Sequence, residues 1–428
     1  MKKTTMAPAM FDKLVIIQAA VLAVFAVICL VLAVSGNGTL LAILTLLLSL
    51  VFSLKYRPLA LATVITAGPL NELLTTGVLQ IAVYVPFLLF SFIHFFTKKG
   101  KLSGILLYIW CILMVLLSYF FGYEPDTVMF LLQVFSMSMF YVVWQTFNKQ
   151  DVPIVVWGYI LSALVAIGYM STGGLEAVTV TGRLSLGEHV KIVAFICAVP
   201  FVFILYPFIG RLYMFSNLAK YRYKIVDILL LIVLMLTIFM TLARGLMVAI
   251  AIGVLLLMMF LRKKKSIFFL LLIIMVAIYS FMYIESLDMF RTERMFAYEE
   301  YESGNGRTEI WLHYINKIFD MGGQYILFGT GPGNIERISN MGYYAHSTIL
   351  DYFFSYGIMG IITFLIIEYL INLKLLKSAN KIPFAISMTF LLAYATHGGA
   401  ANLTLYLIQA LMLICVKPVN QLKMKLRK

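Results

Sequence analysis

Charge is what this sequence has least of. Only 12% of its 428 residues are Asp, Glu, Lys or Arg, against about a quarter in soluble globular proteins. Carboxylates are the scarcer sign, 19 against 33 Lys and Arg. No Asp-x-Asp pair is present to hold a metal-bound nucleotide sugar, and no His/Cys group has zinc spacing, so neither metal nor cofactor is expected. The four cysteines, Cys29, Cys111, Cys197 and Cys415, lie far apart inside apolar runs. They read as small buried hydrophobes rather than a disulfide framework. Period-two alternation is missing as well, which argues against a transmembrane barrel.

What the chain has in abundance is hydrocarbon, 62% of its residues. Apolar runs long enough to cross a bilayer as helix recur throughout. They fall at about 13–34, 38–54, 76–96, 104–122, 127–147, 153–172, 190–208, 225–243, 245–261, 266–284, 347–372, 383–397 and 403–416. The expected fold is an all-α polytopic membrane protein of about 12–14 transmembrane helices. The first run lacks a small-residue cleavage site and is taken as a span rather than a signal peptide.

Basic clusters set the orientation. They occur at Lys2/Lys3/Lys13, Lys55/Arg57, Lys98/Lys99/Lys101, Lys220/Arg222/Lys224, 262–265, Lys374/Lys377/Lys381 and 417–428. Basic loops stay in the cytoplasm. Keeping all of them inside requires an even number of crossings, so a fourteenth span is placed at 59–74, interrupted by Gly68-Pro69 and Asn71-Glu72. Both termini are then cytoplasmic. The net charge of +14 is topology signal and attraction to anionic inner-leaflet lipid; no nucleic-acid partner is implied.

Against that background, the stretch 285–346 stands out. It holds nine of the nineteen acidic residues, five basic residues and two of the five histidines. The chain therefore divides into a transmembrane bundle (1–284), an extracytoplasmic catalytic loop (285–346) and further transmembrane helices with a basic cytoplasmic tail (347–428). Within the loop, Ile310, Trp311, Tyr314, Ile315 and Ile318 recur at helical spacing, predicting an amphipathic helix from Arg307 to Phe319. Arg307 in its first turn, beside free backbone N–H groups, suits an anion; the plain alternative is an ion pair with Glu309 or Glu302. Gly329-Thr330-Gly331-Pro332-Gly333 permits a tight turn whose amides could converge on an anion. His346 stands at the outer mouth of the helix that follows, with Asp351 and Tyr352 the next polar groups inward. Upstream, Arg183 lies in the external loop 171–190, and Arg244 lies in a tight turn at the outer interface. Arg244 serves equally as a snorkelling side chain.

This ordered set of features resembles the O-antigen polymerase/ligase superfamily, the Wzy-type polymerases and WaaL-type ligases. The similarity covers about residues 180–372: an arginine loop, a membrane-edge arginine, Gly306-Arg307 followed by Trp311, a G-x-G-x-G turn, and a histidine opening a helix that contains Gly357-Ile358-Met359-Gly360. Two departures are Ser347, where asparagine is common, and His189-Val190, where Pro-Asn is frequent. The resemblance implies a GT-C-like bundle and sugars carried on undecaprenyl diphosphate. It implies that Arg183, Arg244 and Arg307 face the lipid diphosphate and that His346 lies at the reaction centre. The further partners implied are membrane lipids, a chain-length regulator and a flippase.

The residues suit such a transfer in their own right. Breaking a C1–O bond to a diphosphate develops negative charge, which arginines stabilise. The attacking hydroxyl must lose its proton, and His346 is the expected base, with Glu309 in reserve. Gly329 and Gly331 are expected at the substrate. Polymerase is the favoured function and ligase the alternative. A flippase or transporter is a second alternative, opposed by the absence of an internal repeat and by polar residues confined to one face.

Overall fold

This computed structural model describes residues 9–74, 82–97, 104–123, 126–173, 190–210, 224–241, 243–261, 307–333, 347–395 and 403–416. At 9–13, 71–73, 190–192, 208, 210, 224–225, 244, 261 and 307–309 it describes the backbone alone.

Among the described residues the regular structure is entirely helical. The first group is α1 (Ala9–Val34), α2 (Gly38–Lys55), α3 (Arg57–Leu74) and α4 (Val85–Thr97). The middle group is α5 (Ile105–Phe121), α6 (Thr127–Thr146), α7 (Val152–Ser171) and α8 (Val190–Gly210). Next come α9 (Lys224–Met240) and α10 (Arg244–Leu261), then α11 (Arg307–Met321) and α12 (Gly323–Phe328). The chain closes with α13 (Thr348–Leu376), α14 (Ile382–Ala395) and α15 (Leu403–Val416). Leu14–Val34 of α1, together with α2, α6, α7 and α13, is long and apolar enough to cross a membrane, and seven shorter apolar helices accompany these five. The protein is an all-α polytopic membrane protein. The expected span at 266–284 lies outside the described residues.

Burial separates helices that face lipid from those that do not. Val24, Val27 and Val31 of α1 are exposed, as expected of a helix whose solvent is hydrocarbon. By contrast α7 is sheathed by α1, α3 and α8, and most of its side chains are buried. The segment 59–74 belongs to the second kind. It is one continuous helix, running through Pro69 rather than breaking there. Pro69 takes one hydrogen bond from the carbonyl four residues back, a loss tolerated where neighbouring helices cover the backbone. From Leu59 to Leu70 nearly every side chain is buried, so this stretch, weak in hydropathy, is walled by protein.

Small residues set the closeness of α3 and α7. A Cβ added at Gly158 would lie 2.8 Å from the Ala62 carbonyl oxygen and 2.9 Å from its Cα. Thr66 Oγ1, 2.8 Å from the Ala62 carbonyl, is 3.4 Å from that of Gly158. Without a hydrophobic force between helices in lipid, such close backbone contact is what holds them. Gly158→Val is therefore expected to cost about 1–3 kcal/mol through overpacking, seen as a lower Tm of the detergent-purified protein.

Two buried polar clusters bind the C-terminal helices. Gln409 Nε2 donates to both carboxyl oxygens of Glu368, at 2.8 and 2.7 Å. Asn372 Nδ2 adds a bond of 3.2 Å to Glu368 Oε2, and Ser387 Oγ donates to Asn372 Oδ1 at 3.0 Å. A carboxyl within a span is costly unless partnered, and here its partners come from α13 and α15, with α14 joined through Ser387. Higher up, the Tyr352 and Tyr406 hydroxyls pair, and Gln133 Nε2 donates to Tyr352 at 3.3 Å. That cluster joins α6, α13 and α15.

Candidate functional site

The polar stretch is fastened to α13, the helix that follows His346. α11 carries the apolar spacing read from the sequence, and the structure gives it a helix over Arg307–Met321. Tyr314 and Ile318 are buried against Phe354 of α13, with Ile310, Tyr325, Leu350 and Phe353 around them. The Tyr314 and Phe354 rings meet edge-on at 5.4 Å, an arrangement favoured by ring quadrupoles. Leu312 and Phe319 stay exposed.

α13 is itself broken. Gly357 has φ 66° and ψ −164°, so the helix stops and restarts there. A break orphans carbonyls of the preceding turn, and the G-T-G-P-G segment satisfies two of them. Thr330 N and Oγ1 donate to the Phe354 carbonyl at 2.8 and 3.1 Å. Gly331 N donates to the Ser355 carbonyl at 3.1 Å, which also accepts from Ser118 Oγ of α5. The other edge of the segment is bonded too: Tyr123 N to the Thr330 carbonyl at 2.8 Å, and Asp126 N to the Pro332 carbonyl at 3.1 Å. Asp126 Oδ1 caps α6 through Val128 N and Met129 N, at 2.8 and 3.2 Å. The segment thus stitches the ends of α5 and α6 to the break in α13.

Glycine is required at this junction because two backbones touch. A Cβ at Gly329 would lie 2.3 Å from Ser355 C and O, and one at Gly357 would lie 2.4 Å from Leu327 C and O. Gly329, Gly331 and Gly333 all have positive φ.

Of the residues expected at the substrate, Gly329 and Gly331 are fully described. Gly329 N donates to the Tyr325 carbonyl at 2.8 Å. With Thr330 N and Gly331 N also spent on carbonyls, and Pro332 lacking an N–H, none of these residues has a spare amide for an anion. Their observed work is to hold α13. Arg307 is the first residue of α11 and Glu309 its third; Arg244 is the first residue of α10. For these three the backbone alone is described. Arg183 and His346 lie outside the described residues.

The end of α13 that follows His346 is polar and buried. Ser347, Asp351 and Ser355, one turn apart, share a face, and Thr348 adjoins them; all four are buried. Thr348 Oγ1 donates to the Tyr394 carbonyl at 2.5 Å, anchoring the start of α13 to α14. A carboxyl in the first turn of a helix gains from the aligned peptide dipoles, which suits Asp351. Sequence reasoning named Asp351 only as a neighbour and passed over Glu368; its signal was a carboxylate within an apolar run. The coupling of 329–331 to Gly357 had no comparable signal, since the two segments are brought together by the fold.

Residues 228–365 match a family model described as O-antigen ligase, Wzy_C. Over that stretch the chain is similar to the O-antigen polymerase/ligase superfamily. The similarity supports a role in glycan assembly. The matched stretch spans Arg244, Arg307, Glu309, Gly329, Gly331 and His346, while Arg183 precedes it and the Glu368 cluster follows it. No curated protein and no solved structure matches the chain.

Proposed function

We propose that the protein is a metal-independent glycosyltransferase that polymerises undecaprenyl-diphosphate-linked oligosaccharide repeat units into surface polysaccharide. It would act on the outer face of the cytoplasmic membrane, with both termini in the cytoplasm. The observation that carries this reading is the packing of the polar stretch onto the N-terminal half of α13. That packing ties the helix opened by Arg307 to the helix that follows His346, within the domain matched to glycan assembly.

In the proposed reaction an acceptor sugar hydroxyl attacks C1 of the donor sugar from the face opposite the diphosphate. The C1–O bond breaks, its electron pair passes to the diphosphate oxygen, and the anomeric configuration inverts. His346 takes the hydroxyl proton, with Glu309 as the reserve base. Arg307, Arg244 and Arg183 balance charge on the departing diphosphate. Both substrates enter sideways from the bilayer, supplied by a flippase, and a chain-length regulator is a natural partner.

The description of the matched family favours a second reading, a ligase that passes finished glycan to lipid A-core or another acceptor. One experiment separates the two. Surface and lipid-linked glycan are sized from a deletion strain with and without the wild-type chain. Polymerase activity is expected to leave only single repeats in the deletion strain and to restore a ladder on complementation. Long chains that persist in the deletion strain but stay on their lipid carrier would establish the ligase instead.

A further inference from the structure

Between α5, α6 and α13 runs a partly open apolar groove. Its walls include Leu107 and Cys111 of α5, Phe140 and Trp144 of α6, and Phe364 and Ile367 of α13. Its direction follows from the helix ends. The end of α5 and the start of α6 meet the G-T-G-P-G segment, so Gly104 before α5 and Trp144 near the end of α6 mark the pole away from the site. From Gly104, just before α5, the lining runs to Val115, about 16 Å at 1.5 Å per residue. On α13 the lining runs from Tyr352 to Ile371, about 28 Å at the same rise, so the groove is long enough to seat an acyl chain of one leaflet of a hydrocarbon core of about 30 Å.

The two ends differ in chemistry. Towards the site, Tyr352, Tyr356 and Tyr406 form the lining; the Tyr352 and Tyr406 hydroxyls are paired with each other and with Gln133. Tyr352 also stacks on Phe364 at 4.6 Å, so hydrocarbon in the groove meets ring faces. At the far pole Lys374 Nζ lies over the Trp144 ring, 5.1 Å from its centroid, and Lys377 follows at the end of α13. Both lysines are exposed.

We infer that this groove binds one acyl chain of an anionic phospholipid from the leaflet opposite the reaction site, with the lipid phosphate at Lys374. The groove is long enough for an acyl chain of one leaflet, and the cations stand at the pole where its headgroup would lie. On the proposed orientation this is the cytoplasmic leaflet, whose anionic lipids attract basic residues at helix ends. A lipid-linked sugar has the opposite polarity, since its diphosphate belongs at the start of α13. The inference goes beyond the proposed reaction, and its choice of leaflet rests on the proposed reaction site at the start of α13.

The test is native mass spectrometry of the full chain in detergent, with phosphatidylglycerol or phosphatidylcholine of identical acyl chains added. Wild type is expected to retain phosphatidylglycerol preferentially. Lys374→Gln should lower that retention about fivefold, as for one lysine at an anionic surface, and leave phosphatidylcholine unchanged. Leu107→Trp, which fills the groove, should reduce both. Equal retention of the two lipids by wild type would overturn the inference, as would phosphatidylglycerol retention indifferent to Lys374→Gln. So would displacement of phosphatidylglycerol by undecaprenyl phosphate that Lys374→Gln leaves unaffected. Lys374 is an exposed side chain, so this variant decides the matter even if Leu107→Trp fails to fold.

Discussion

Arg307→Ala is expected to lower the rate of glycan transfer by about 10²–10³-fold, the usual loss when one preorganised donor to a developing oxyanion is removed. The sequence places Arg307 after Gly304-Asn305-Gly306, and the structure makes it the first residue of α11. Backbone N–H groups of a first helical turn have no partner within the helix, so arginine and helix end offer positive potential together. In the proposed reaction charge on the diphosphate grows as the C1–O bond breaks, and the loss should therefore fall mainly on kcat rather than KM. Arg307→Lys should recover only part of the rate, because an ammonium keeps the charge without the guanidinium's two-pronged donor geometry. His346→Ala is expected to lose about 10²–10⁴-fold, the range for a positioned general base. The measurement is transfer by purified enzyme from a synthetic undecaprenyl-diphosphate-linked repeat. Wild-type kcat in Arg307→Ala, at equal folded protein, would remove Arg307 from the reaction.

How much was legible in the sequence depends on the range over which each signal acts. Amphipathic α11 was readable because Ile310, Tyr314 and Ile318 are four residues apart, and period alone orients such a face. Cysteines were readable as packing residues, and Cys29, Cys111 and Cys197 are indeed buried. The helix at 57–74 was harder to see. Gly68-Pro69 and Asn71-Glu72 suggested an interruption, whereas the helix runs through them and burial by α1, α2 and α7 relieves it of facing lipid. The role of Gly329 was legible only in part. Repeated glycines announced a positive-φ turn, and the turn is there. Which carbonyls would consume its amides depended on Gly357, twenty-eight residues away, and no local pattern encodes that meeting. The same holds for Glu368 and Gln409, whose pairing requires α13 and α15 to be packed together.

Gly357→Ala is expected to cost several kcal/mol and to disable the enzyme through its scaffold rather than its chemistry. Two penalties add. The pair φ 66°, ψ −164° lies in a region essentially reserved for glycine, at about 1–3 kcal/mol for any other residue. The new methyl would also fall 2.4 Å from Leu327 C and O and 2.7 Å from Gly329 N. These are backbone atoms, so α12 must move away from α13. Its retreat would pull Thr330 and Gly331 off the Phe354 and Ser355 carbonyls, leaving buried acceptors unpaired at about 1–3 kcal/mol each. Against a typical total of about 5–15 kcal/mol, the expected result is a large fall in Tm and in recoverable monodisperse protein. Gly329→Ala should act alike, since its Cβ meets Ser355 and Tyr356 from the other side of the same contact. The double variant should then lose less than the sum, because the first change already parts the two backbones. Gly323→Ala supplies the control: nothing lies within 4 Å of its Cβ, and a change within about 0.5 kcal/mol is expected of such a position. An undiminished Tm in Gly357→Ala would mean that α12 and the break in α13 are not held in contact, and the scaffold proposed for the site would fail with it.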